Sequence, residues 1–252
     1  MDTDSLVLLL FFSPLVLLAL IEAVRPGSAF GRGRPWSWVL KGGVWFVSSF
    51  AISNYVPVWV DGWLARYALL DLSFLGWGGI LPGVMAYQLV GYANHRALHE
   101  VPALWRFHRT HHSSERIDVF STFIFHPLDI AGWTLVGSIA VVGLTGISVE
   151  AAIATALINN AAAAVGHANI RTPRWLGYIV ARPENHALHH GRGVHSFNFA
   201  DFPVVDILFG TFRNPETFPA EAGFVDGGSN QVGRLLLGLE PQPRVRVGGG
   251  DA

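Results

Sequence analysis

Five apolar stretches of the chain, residues 6–21, 42–60, 72–94, 130–149 and 151–166, contain no Asp, Glu, Lys or Arg. Each approaches the ~20 residues with which an α-helix crosses the hydrocarbon of a bilayer. The pattern predicts an all-α, multi-pass transmembrane fold with four to five spans. Only Glu150 parts the fourth stretch from the fifth, so these two read as a tight hairpin. The third is the least regular, since Gly78, Gly79, Pro82 and Gly83 interrupt it, and Pro82 and Pro57 are expected to kink their helices. Asp2 and Asp4 precede the first stretch, where a cleaved signal peptide would carry basic residues, so a retained helix is expected. From Phe212 onward Pro and Gly recur. Residues 1–212 therefore read as one membrane domain and 213–252 as a flexible tail.

Composition agrees with the pattern: 51% of the residues are hydrophobic and 14% charged, with a mean hydropathy of +0.38, too apolar for an ordinary soluble domain. A formal net charge of -1 gives no basic excess and excludes a nucleic-acid partner from the expectation. The sequence holds no Cys. Disulfides, thiolate ligands, iron–sulfur clusters and a Cys nucleophile are thereby excluded, and any metal must use His, Asp or Glu.

Basic residues assign the ends of the helices. Arg25, Arg32 and Arg34 follow the first stretch, Arg96, Arg106, Arg109 and Arg116 the third, and Arg171, Arg174, Arg182 and Arg192 the fifth. If the helices alternate in direction, all three sets share one side, and the other receives little beyond Arg66. Positive charge stays on the cytoplasmic side. The N-terminus is expected to face away from the cytoplasm.

The 11 histidines fall in the segments assigned to that cytoplasmic side. His95 and His99 are four apart, one helical turn on one face, which makes a chelating pair. His108, His111 and His112 repeat this offset as a triplet, and so do His186, His189 and His190. Three ionisable rings crowded on one face would repel or stay unsatisfied without a metal, so the triplets read as ligands. Eight or more converging imidazoles exceed one ion, and two are implied. His167 ends an apolar helix and reads as a further ligand, whereas His126 and His195 read as polar anchors outside the ligand set. Glu100 follows His99, but Ala103 stands where a zinc-protease helix would need His. Trp105 and Phe107 read as aromatic anchors at the membrane interface.

In these residues the chain resembles the fatty acid hydroxylase and sterol desaturase superfamily of integral-membrane di-metal oxygenases. The resemblance runs over about 87–212, in HRALH (95–99), LWRFHRTHHSS (104–114), FHPLD (125–129), HAN (167–169), ENHALHH (184–190) and NFADFPVVDILFGTF (198–212). It implies metal ligands at His95, His99, His108, His111, His112, His186, His189 and His190, with His167 as a ninth. The family's best-described members have a further His where this chain has Arg171, which leaves a position open, or filled by water or by another His such as His195. Relatives often carry Asp where this chain has Gln88. Asp129, Glu184, Asn198, Asp201 and Asp206 are candidate partners for the imidazole N–H groups.

The expectation is an O2-dependent enzyme with two iron ions that hydroxylates or desaturates a sterol, fatty acyl chain, hopanoid or carotenoid-like lipid, with zinc able to replace iron on purification. Its metal site lies in a cytoplasmic cap, and its electrons come from a separate ferredoxin, cytochrome or reductase. A zinc-dependent membrane hydrolase and a non-catalytic metal-binding membrane protein are the alternatives. A dihaem carrier is a third rival, disfavoured by adjacent pairs such as His111 and His112.

Overall fold

The computed structural model describes residues 2–28 and 35–243, so Arg32 and Arg34 lie outside the described residues. Five long helices form a bundle: α1 (Thr3–Val24), α2 (Trp36–Arg66), α3 (Ile80–Glu100), α5 (Pro127–Ser138) and α6 (Val149–His167). Four shorter ones complete the α-helices among the described residues: α4 (Pro102–His112), α7 (Pro183–His189), α8 (Val204–Phe209) and α9 (Val232–Leu236). Among the described residues there is no strand, only an isolated bridge between Gly191 and Ala222.

Among the described residues, four helices are long and apolar enough to cross a membrane: α1, α2, α5 extended by a π-helical turn to Leu144, and α6. The third apolar stretch does not become one such helix. It divides into a 3-10 segment (Ser73–Gly79), kinked within at Gly76 where φ is 52°, and α3, and Pro82 falls harmlessly in the first turn of α3, where no i−4 acceptor is needed. Pro57 lies inside α2, which continues through it. Lipid-facing flanks remain apolar and open, as at Val58 (77% exposed) and Leu81 (68%).

The helices alternate in direction, which sorts their ends. At one end the link after α2 bonds to the α5–α6 turn, Leu69 N–H to Gly143 O and Leu72 N–H to Thr145 O. At the other, Gly27 after α1 donates to Asn169 after α6, and Trp38 at the start of α2 donates its indole N–H to Asp118. Buried Glu22 of α1 accepts the N–H groups of Val119 and Asn169 there. Small residues let α3 and α6 approach: a Cβ at Gly83 would stand 2.7 Å from Thr155 Oγ1 and from Ile147. Below the histidines, Gln88 closes a polar layer by donating to Asn159 Oδ1 at 2.6 Å and accepting from Phe202 N–H.

Residues 213–243, expected in the flexible tail, fold back on the histidine end. Leu235 is 1% exposed and α9 packs on α4. Composition misleads here because a few apolar contacts and Gly turns suffice to seat a Pro- and Gly-rich segment on an existing surface. Residues 244–252 lie outside the described residues.

Candidate metal centre

The nine histidines named as ligands meet in two adjoining groups. His95 and His99 of α3, His108 and His112 of α4, and His189 of α7 form one; His111 of α4, His167 of α6, and His186 and His190 of α7 and its cap form the other. Within each group one nitrogen per ring lies within 4.8 Å of all the others. The groups interlock, since His111 and His112 are neighbours in sequence yet belong to different groups, and the His112 ring stacks on that of His190 at 4.2 Å.

Rings are held by their far nitrogens. His95 Nδ1–H donates to Phe199 O at 2.7 Å, His189 Nδ1–H to Phe197 O at 2.7 Å, His111 Nδ1–H to Ile124 O at 3.3 Å and His167 Nδ1–H to Ala163 O at 2.9 Å. His108 Nδ1 bonds Asp129 Oδ2 at 2.9 Å. A carbonyl can only accept, so Nδ1 carries the hydrogen and Nε2 of the neutral ring is a bare lone pair.

Those lone pairs point at one another. His95 Nε2 is 3.1 Å from His189 Nε2, and His111 Nε2 is 3.1 Å from His167 Nε2, with no hydrogen available to either pair. His99, His108 and His112 each keep a buried Nε2 with no partner. Such an arrangement is repulsive in the protein alone. A shared cation reverses its sign, because two nitrogens about 2.1 Å from one ion, at a right angle, stand about 3 Å apart. The residues therefore fit two metal ions with all-nitrogen donor sets. Burial, assisted by neighbouring imidazoles, pushes His111, His112, His186, His189 and His190 well below the ordinary histidine range and keeps them in the neutral form that binds metal.

The other candidates separate. His126 caps α5: its Nδ1 accepts from Leu128 N–H and its Nε2–H donates to Leu236 O, so it anchors the returning C-terminal segment. His195, at a φ of 44°, places Nδ1 3.1 Å from Nδ1 of His112 in the five-ring group. It thus does not stand in for the ring missing at Arg171, whose Nε–H donates to Gly27 O away from the four-ring group. Asp206 braces the loop that carries the Phe199 carbonyl by accepting from Phe199 N–H, Ala200 N–H and Thr211 Oγ1–H. Glu184 binds Thr172, and Asn198 ties Asn185 to Arg213, so neither meets an imidazole. Burial raises the Asp201 carboxyl to about 7, against the pull of Gln88.

Aromatic rings close the site. Trp105, expected as an interface anchor, instead lies 4.9 Å from the His99 ring; Phe125 stacks on His111 at 4.2 Å, and Phe199 meets His95, His99 and His189. The carbonyls of Phe197, Phe199 and Ile124 leave no mark in a sequence, because every residue has one.

Residues 80–211 match the fatty acid hydroxylase family. The chain is 28% identical over 207 residues to the ornithine lipid hydroxylase of Rhizobium tropici, covering 80% of this chain and 58% of that one. It is 26% identical over 226 residues to the human alkylglycerol monooxygenase, covering 81% and 46%. Identity to a very-long-chain aldehyde decarbonylase of Oryza sativa is 28% over 207 residues, covering 75% and 31%. The chain thus spans less than two thirds of the length of each of these relatives. No solved structure matches.

Proposed function

The chain belongs to the fatty acid hydroxylase family, and from that premise we propose that it is an O2-dependent oxidoreductase acting on a membrane lipid. In this reading the nine imidazoles hold two iron ions, five rings on one and four on the other. The observation that carries it is the set of facing Nε2 lone pairs at 3.1 Å, buried at one end of an apolar bundle. When bound, iron supplies the O2 chemistry that oxidises an unactivated C–H bond, which no side chain can do alone.

The protein's own part is positional and electrostatic. The carbonyls of Phe197, Phe199, Ile124 and Ala163 fix four rings in the tautomer that leaves Nε2 free. Asp129 holds His108 from behind through Nδ1 and so fixes the direction of that ring's Nε2. Phe125, Phe199 and Trp105 keep water from the rings.

The relatives point to lipid substrates, and hydroxylation and desaturation differ only in whether oxygen or a second hydrogen is transferred after the first C–H bond breaks. The electrons come from a separate ferredoxin, cytochrome or reductase, and the metal end faces the cytoplasm. The test compares lipids of cells expressing the wild type and His111→Ala under labelled O2. A labelled or newly unsaturated lipid present only with the wild type is the expected result. Identical profiles, or O2-independent turnover of the lipid by zinc-loaded protein, would overturn the reading.

A further inference from the structure

Outside the metal centre, a groove of about 470 Å³ runs along the lipid-facing side of α3 and is closed on one flank by α8. Leu89, Ala93 and Ala97 succeed one another at one-turn intervals along its floor, and Phe209 forms part of its wall. From Leu89 to Glu100 it is about 17 Å long. At its inner end, level with the histidines, it becomes polar: Arg96 Nε–H donates to Glu100 at 2.7 Å, and both side chains are substantially exposed.

α8 is an unusual wall. Leu208 is 76% exposed, and Val204, Ile207 and Phe209 of the same six-residue helix are open too. This apolar surface continues that of α3, where Leu81, Met85 and Leu89 are exposed, so the two form one face toward the bilayer. Two buried rings, Tyr92 (4% exposed) and Phe199 (6%), stand packed between the groove and the histidines. Phe209 stacks on Tyr92 at 4.9 Å, Tyr92 meets Phe199 at 5.9 Å, and Phe199 lies 5.3–5.6 Å from His99, His95 and His189.

We infer that the α3–α8 groove docks one acyl chain of a bilayer lipid, its headgroup at the Arg96–Glu100 pair, and that the chain reaches the five-ring group past Tyr92 and Phe199. Continuity with the membrane-facing surface identifies the occupant as a lipid of the bilayer. The pair offers one charge of each sign and thus suits a zwitterionic headgroup. The entrance half rests on the lipid-oxidising reading above; the docking half does not.

The test needs no turnover. The full chain, zinc-loaded, is placed in nanodiscs of phosphatidylethanolamine carrying a diazirine near the end of one acyl chain, irradiated, and its adducts are mapped by mass spectrometry. Adducts on residues 89–101 and 204–209 are expected in excess over those at equally exposed sites on α2, with a further adduct in the 196–200 loop. Ala93→Trp, which fills the groove, should lower both at least tenfold with the metal content unchanged, whereas the size-matched Val44→Trp on α2 should leave both intact. Labelling proportional to exposure all round the bundle, or indifferent to Ala93→Trp, would overturn the docking site. Groove adducts without any in the 196–200 loop would overturn the entrance. A wild type that forms adducts but never oxidises a lipid would overturn the proposed activity and leave the docking site standing.

Discussion

Asp129 accepts from His108 with neither side chain reaching solvent, so the carboxylate fixes this ring's Nδ1–H and turns its Nε2 toward the other histidines. Asp129→Asn keeps the shape and removes the charge. It should weaken metal binding about 10- to 100-fold, read as iron per chain after dialysis against a graded chelator. His126→Ala is the contrasting change: metal content should persist, while loss of the bond to Leu236 should expose the segment around α9 to limited proteolysis. If His126→Ala loses metal as Asp129→Asn does, the division between ligand support and structural anchor is wrong. The buried imidazoles also set a pH dependence for the metal-free protein. Their folded-state values lie well below the ordinary 6.5, so the unfolded chain takes up protons first as pH falls. Stability is therefore fully present above 6.5 and lost below it, by about 1.4 kcal/mol per ring per pH unit. Thermal unfolding of the metal-free protein should drop steeply between pH 7 and 5, and a midpoint constant over that range would contradict it.

At the scale of elements, the short α8 controls more than its length suggests. Its Asp206 clamps the loop whose Phe199 and Phe197 carbonyls hold His95 and His189, both in the five-ring group. On the proposed two-ion reading, Asp206→Ala should loosen this loop and release one ion before the other, so iron per chain falls from two toward one at a chelator level the wild type withstands. Equal loss of both ions would show that the loop does not act on one group alone. The helices bearing the clustered histidines were legible because chemistry and geometry coincide there: His at offsets of three and four can share a face only in a helix, and α4 and α7 are those helices. Two other features were not legible. Trp105 reads the same in sequence whether it faces lipid or His99, since the choice depends on where α4 turns after Val101. The third apolar stretch looked like a span because it was counted as free of charge from Leu72 to Asn94, whereas the helix that forms starts only at Ile80, after the kink at Gly76, and runs on through His95, Arg96, His99 and Glu100, which make it too polar.

For the whole molecule, alternation of the five long helices brings the described basic residues Arg25, Arg96, Arg106, Arg109, Arg116, Arg171, Arg174 and Arg192 to the histidine end, with Arg66 at the other. The count that sequence arithmetic made therefore corresponds to a real polarity of the fold, although α3 is not among the four helices apolar enough to cross by themselves. α3 can still lie within the bundle because Gln88 is satisfied by Asn159 and Phe202 rather than left bare in hydrocarbon. In the reading proposed above, retention of positive charge on the cytoplasmic side sets the metal end there. The absence of Cys makes this directly testable. Arg174→Cys lies at the histidine end and Tyr67→Cys at the other, and both side chains are well exposed (58% and 70%). In sealed cells a membrane-impermeant maleimide should label Tyr67→Cys and spare Arg174→Cys, and in inverted vesicles the two should exchange. The opposite pattern would put the metal centre outside the cytoplasm and require an electron donor from that side; labelling of both in sealed cells would mean that the bundle does not span the bilayer as its helices indicate.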